Sequence, residues 1–261
     1  MTSVRLIISL DTIMISGMVS LADAGIYTTM MYFVTFLMLP IRALQNASSP
    51  QVAECWKSGD MEKMEMLYKR VSVLGLVAAL WVFFGIWINM HNLFKIMGTQ
   101  YAAGAIAFLL VGFGRLFDTI TGLNGVILVT SRYYRADLVF NLGLLALAWV
   151  ANYYFIGKMG ITGAAVATML SLFGFNLTRM GYVWYRERIH PFSWNLLWIS
   201  LLAGAAYGVD CLLPRLDTHL FGDVAFRSTI FTVLFLGSVL AFRLVPEFNK
   251  AAASLRAKLP I

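Results

Sequence analysis

GFGRLFDTITG, Gly112 to Gly122, places an arginine and an aspartate three residues apart in a stretch otherwise suited to lipid. The surrounding run, Ala102 to Thr130, holds no other charge. As one helix at 1.5 Å per residue it extends about 43 Å, against a bilayer hydrocarbon core of roughly 30 Å. Arg115 and Asp118 are therefore expected deep inside a membrane-crossing helix, away from its water-exposed ends.

The rest of the chain supports that reading. Its 261 residues are 60% hydrophobic and 13% charged, with a mean hydropathy of +0.76, where soluble chains carry roughly 25% charged residues. Apolar runs long enough to cross a bilayer extend from Val4 to Leu21, Ile26 to Leu44, Val71 to Met90, Ala102 to Val129, Leu138 to Ile156, Ile161 to Trp184, Trp194 to Leu213 and Val224 to Leu244. Runs of this length predict an all-α, polytopic transmembrane helical bundle of about eight spans. Transmembrane strands would be about ten residues long and would alternate polar with apolar. Ala22-Asp23-Ala24 matches a signal-peptidase pattern, but Asp11 interrupts the supposed leader and another apolar run follows at once.

Loops that stay in the cytoplasm carry the excess of Lys and Arg. With these spans, fifteen of the 20 basic residues fall on one side, among them Arg5, Arg42, Lys57, Arg132, Arg179, Arg186 and Lys258. Only Lys95, Lys158, Arg215 and Arg227 fall on the other. Both termini are predicted to be cytoplasmic. The net charge of +7 recurs at every second loop, as insertion requires, and no contiguous basic face for nucleic acid is expected. Cys55 and Cys211 fall on opposite sides, so no disulfide is expected between them. His91, His190 and His219 have no ligand spacing, and no metal site, cofactor motif or catalytic signature is predicted.

The longest cytoplasmic loop, 48–70, is amphipathic: Met61, Met64, Leu67 and Val71 share a helical face, and Glu65 precedes Lys69 by four residues. It is expected to lie along the membrane surface. Residues 247–261 read as a basic cytoplasmic tail.

Charged groups within a span cost about 2.5–3.5 kcal/mol each and normally face the bundle interior, a hydrated path or each other. Away from the ends of the runs, where a charge reaches the interface, Asp11, Arg115 and Asp118 are the three that qualify. Arg115 and Asp118 fit two readings. They form a self-contained i,i+3 ion pair, or Arg115 lines a cavity and offers its guanidinium fork to an anion while Asp118 orients it. Asp11 has no partner nearby in sequence, which leaves a protonated or locally satisfied acid, or a role in ion coupling. Gly17, Gly143, Gly160, Gly163, Ala164, Ala165 and Ala167 mark expected close helix approaches. Pro40 and the glycines at 104, 112, 114, 122 and 125 allow bending.

Several patterns, in order, resemble a known family. LDTIMISG at 10–17 is followed by Gly25-Ile26-Tyr27; SPQVAECWKSGD spans 49–60; GTQYAAGA spans 98–105; and MGITGAAVATMLS spans 159–171. Together they resemble the polysaccharide (O-antigen type) flippases of the multidrug, oligosaccharidyl-lipid and polysaccharide exporter superfamily. The resemblance covers residues 10 to about 185 and matches the second lobe. Residues 1–185 would form that six-helix lobe, and 186–246 the two extra helices of a fourteen-helix member. Thr12 departs from the basic residue that many relatives carry after the aspartate, and no family motif carries Arg115 or Asp118.

The resemblance implies a bacterial inner-membrane transporter that moves undecaprenyl-pyrophosphate-linked saccharide outward without covalent catalysis. Its substrate site would lie between lobes. The partners expected are therefore the lipid-linked oligosaccharide, membrane lipid, and a first lobe supplied separately or by a second copy. A cation-coupled drug or metabolite antiporter of the same superfamily is the alternative, with Asp11 and Asp118 as its carboxylates. A membrane-embedded polysaccharide-processing enzyme or a structural partner subunit are readings of another class.

Overall fold

The structure, a computed structural model, describes residues 2–214 and 220–246, with side chains from residue 10 onward. The side chain of Arg5, residues Arg215 and His219, and the expected tail at 247–261 lie outside what it describes. Among the described residues there are nine α-helices and no strand: α1 (Thr2–Met18), α2 (Leu21–Ser58), α3 (Met61–Ile88), α4 (Met90–Met97), α5 (Ala105–Ile120), α6 (Asn124–Thr130), α7 (Tyr134–Glu187), α8 (Trp194–Leu212) and α9 (Leu220–Ala241). A 3₁₀ turn, Thr99–Gly104, leads into α5.

Six helical segments are long and apolar enough to cross a membrane: α2, α3, the turn with α5, α7, α8 and α9. The chain is a multi-spanning helical membrane protein. The number differs from the eight runs of the sequence for two reasons: α1 is only 17 residues long, and the two expected runs on either side of Gly160 follow one another without a loop, so that 134–187 counts once although it holds two helical arms. That segment is not straight. Gly160, at φ 57° and ψ −132°, takes a backbone geometry that favours glycine and breaks the helix there. Side chains equidistant from the break then meet: Leu147 packs on Gly174, and Phe140 meets Tyr182 edge to face. The two arms, 134–159 and 161–187, thus fold back on each other as an antiparallel hairpin. Gly163 sits in the fold, where an added Cβ would run into the Phe155 carbonyl oxygen.

The helices begin and end where local chemistry tells them to. Ser20 caps α2 by accepting from the Asp23 amide at 3.0 Å, and Asp60 caps α3 by accepting from the Lys63 amide at 2.9 Å. Gly59, at φ 73°, closes α2 in the left-handed conformation. At 38 residues, about 57 Å, α2 outruns the hydrocarbon core. It therefore continues with α3 as a hairpin beyond the membrane.

In 48–70 the shared face of Met64, Leu67 and Val71 is covered by the chain itself. It is buried against Val52, Cys55, Tyr68, Leu123, Ile127 and Ile189 in a core of its own at the basic end of the bundle.

The main core joins α1, α2, α3, α5 and the second arm of α7, with α8 and α9 docked on α3. Trp87 donates to the Tyr207 hydroxyl at 3.1 Å, Trp81 to Thr232 at 3.0 Å and Asn89 to Ser228 at 2.9 Å. Outward-facing residues remain apolar, as with Leu138, Leu142, Trp149 and Tyr153 on α7, which suits a lipid solvent. Ala164, Ala165 and Ala167 are buried at contacts as expected, whereas an added Cβ at Gly17 or Gly143 would meet open space. Those two glycines mark no close approach.

Candidate functional site

The expected uninterrupted helix from Ala102 to Val129 is absent. Instead α5 stops at Ile120, residues 121–123 form a turn, and α6 resumes at Asn124. Threonine hydroxyls compete for the helix carbonyls: Thr119 donates to the Arg115 carbonyl at 2.9 Å and Thr121 to that of Phe117 at 3.2 Å. Distant side chains then take the carbonyls of the break. Gln45 donates to the Gly122 carbonyl at 2.6 Å, and Tyr68 to that of Thr121 at 3.4 Å. Irregular backbone at membrane depth is tolerated where protein satisfies it or where it lines a hydrated cavity.

Here protein side chains satisfy it, beside a cavity with polar walls. A polar cavity of about 360 Å³ opens between α2, the α5–α6 break and the α7 hairpin. Arg42, Gln45 and Asn46 line it from α2, Asp118 and Asn124 from the break, and Asp137, Asn141 and Arg179 from α7. Arg179 donates through Nε to Asp137 Oδ1 at 2.7 Å, and Nη2 reaches the same oxygen. Asn141 donates to Asp137 Oδ2 at 2.9 Å, and the guanidinium of Arg179 stacks 4.4 Å from the Phe175 ring centroid. Asp137 is thereby neutralised. Arg42 has no ion pair among the described residues, and the buried Asn124 holds its Nδ2 without an acceptor. Both therefore keep donors for something that enters.

Of the residues singled out by sequence, Asp118 lies on the cavity wall. Arg115 lies behind it, 2% exposed, donating to Asp118 Oδ2 at 3.3 Å. The i,i+3 pair thus forms. Its arginine faces inward, within electrostatic reach of Asp11 and Tyr27.

Asp11 is fully buried and has partners that no local pattern announced. Tyr27 donates to Oδ2 at 2.7 Å, Thr168 to the same oxygen at 2.6 Å, and Asn152 to Oδ1 at 2.5 Å. These donors come from α2 and from both arms of α7. Asn152 Oδ1 is buried without a partner. The cluster is one carboxylate held by three donors from other helices.

A third polar cluster forms around Arg227, which the sequence offered only as one of the few basic residues of the less basic side. Arg227 on α9 donates to Asp210 Oδ2 at 3.0 Å, to Asp223 at 3.2 Å and to the Leu213 and Pro214 carbonyls at 3.2 and 3.3 Å. Asn92 adds a bond to Asp223 at 2.7 Å. All four side chains are buried. This network clamps α8 and α9 together and to α4 at the end opposite the cavity. No signal in the sequence marks it, because each residue sits at the edge of an apolar run where a charge is ordinary.

An apolar groove of about 530 Å³ runs between α2, α3 and α9, lined by Phe33, Phe36, Leu39, Val82, Ile86 and Val224 among others. It follows α2 away from the polar cavity. Compared with known proteins, the chain matches no protein-family model, no curated protein and no solved structure.

Proposed function

We propose that the chain is a lobe of a bacterial inner-membrane flippase that carries a saccharide linked through pyrophosphate to an isoprenoid lipid. The observation that carries this reading is the polar cavity beside the broken α5–α6 helix, with the unpaired cation of Arg42 and the free amide of Asn124 in its wall. An anionic headgroup needs such donors where water is scarce. Broken helices at a cavity are also a recurring way for transporters to bind a polar cargo at membrane depth.

In this reading the basic end is cytoplasmic and the headgroup enters there. Arg42 and Asn124 donate to its oxygens, Asp118 accepts from sugar hydroxyls, and Arg115 fixes Asp118. The apolar groove along α2 takes the lipid tail. A facing lobe, from further chain, a separate subunit or a second copy, closes the cavity. Transport is a movement of bound cargo, with no covalent step.

The test is export in cells that build the polysaccharide, with the complete transporter assembled. Arg42→Ala and Arg115→Ala are each expected to abolish surface polysaccharide at unchanged protein level. Normal export by both variants overturns the reading.

The cluster around Asp11 favours a second reading, a cation-coupled antiporter. A buried carboxylate with the unpartnered amide oxygen of Asn152 on its neighbour is suited to a monovalent cation or a proton. Drug or metabolite efflux that collapses in Asp11→Asn, with polysaccharide export intact, would select it.

A further inference from the structure

At the basic end of the bundle, the two ends of the α7 hairpin bring arginines and aromatic rings together. The guanidinium of Arg132 lies 5.0 Å from the ring centroid of Tyr133, and that of Arg186 lies 5.4 Å from the same centroid. The two cations are therefore no more than about 10 Å apart. Arg186 also lies 5.6 Å from the Tyr182 ring and 5.8 Å from that of Tyr185. Arg188 stands 5.9 Å from the Trp184 ring.

Two of the three described lysines at the same end, Lys63 and Lys69 but not Lys57, behave differently. Lys63 pairs with Glu54 at 3.4 Å, and Lys69 with Glu65 at 2.6 Å. The α2–α3 turn thus balances much of its own charge. Among the described residues, Arg132, Arg186 and Arg188 have no carboxylate within ion-pair distance. Glu187 shares a recess with Arg132, but its Oε1 is buried there without a partner. Like charges have been gathered and left unpaired.

The excess of basic residues needed for insertion accounts for charge at this end, but not for arginine alone, ring by ring. A guanidinium stacked on a ring keeps its N–H edge free, and that edge matches two oxygens of a phosphate. Tyr and Trp rings with a polar tip belong at headgroup depth. Arg132, Arg186 and Arg188 are exposed at the ends of helices that emerge from the apolar belt. A soluble anion has no reason to be held there over one already in the bilayer.

We propose that the ends of the α7 hairpin form a binding site for the phosphodiester headgroup of an anionic phospholipid, with Arg132 and Arg186 engaging it from the shared Tyr133 ring. This site is separate from the cavity and does not depend on what the cavity carries.

The experiment is native mass spectrometry of the full chain in detergent, titrated with phosphatidylglycerol or with phosphatidylcholine of the same acyl chains. The wild-type protein is expected to bind phosphatidylglycerol about thirtyfold more tightly, the preference that two arginine contacts at a membrane surface supply. Arg132→Gln with Arg186→Gln removes the preference, and Tyr133→Leu, which keeps every charge, weakens it severalfold. Lys63→Gln with Lys69→Gln leaves it unchanged, and millimolar inorganic phosphate does not displace the lipid. The proposal is overturned if the arginine variant keeps the preference, if the lysine variant loses it equally, or if inorganic phosphate competes. The Tyr133→Leu arm decides the matter should the double arginine variant fail to fold.

Discussion

Asp137 and Arg179 are 42 residues apart and face each other across the α7 hairpin, with Arg179 Nε donating to Asp137 Oδ1 at 2.7 Å. Removing one partner from such a half-enclosed pair leaves a charge with nothing to compensate it. Arg179→Met is expected to destabilise the folded protein by about 3 kcal/mol, and Asp137→Leu with Arg179→Met to recover most of that loss. Unfolding by added sodium dodecyl sulfate in mixed micelles measures both. If the double variant is as unstable as the single, the pair does not hold the arms together.

Asp11 should be intolerant of its own amide. Three donors converge on the carboxylate, and an asparagine in its place would keep one oxygen for the Asn152 amide but turn its N–H toward the Tyr27 and Thr168 hydroxyls, which lose their charged acceptor and must reorient to accept. Asp11→Asn is expected to cost roughly 3 kcal/mol, and Thr168→Val about 1 kcal/mol. Thermal melts of the purified variants give the order. Equal melting temperatures for Asp11→Asn and wild type would mean that the cluster contributes no stability.

Glycines on α7 should separate into two kinds. Gly163→Ala drives a methyl into the Phe155 carbonyl and is expected to cost more than about 2 kcal/mol, through a shift of backbone that no side chain can absorb. Gly143→Ala meets open space and should be neutral or slightly stabilising, by up to about 1 kcal/mol. Comparing the two melting temperatures tests the hairpin geometry directly.

The break after Ile120 depends on a side chain from another helix. Gln45→Leu deprives the Gly122 carbonyl of its donor at 2.6 Å and is expected to cost about 1–2 kcal/mol. Amide hydrogen exchange at 121–126 should rise in that variant while exchange in α3 stays fixed. Unchanged exchange at the break would show that it holds without Gln45.

How much of this was legible in sequence varies by element. The α7 hairpin was, because Gly157, Lys158 and Gly160 interrupt two apolar runs of span length. The broken fourth helix was not. Gly122 and Gly125 announced only that bending is allowed, and the groups that stabilise the break, Gln45 and Tyr68, stand 77 and 53 residues away from the carbonyls they bind. The Arg115–Asp118 pair was readable from its spacing, since residues three apart on a helix share a face. Arg42 was not readable as a cavity residue, because a basic residue at the end of a span is ordinary in any membrane protein. For 48–70 the apolar face was visible, but what covers it is a tertiary fact.

The carboxylate of Asp11 also imposes an order of assembly. Its donors Asn152 and Thr168 lie 141 and 157 residues further along the chain. While the protein is being made, α1 enters the bilayer long before either donor exists, and only Tyr27, 16 residues on, is at hand. α1 therefore cannot be fastened in its final place until the hairpin after Gly160 has inserted. The shell of the carboxylate is complete only once residue 168 has been made, so a ribosome stalled before it should leave α1 accessible to cross-linking by lipid-borne probes.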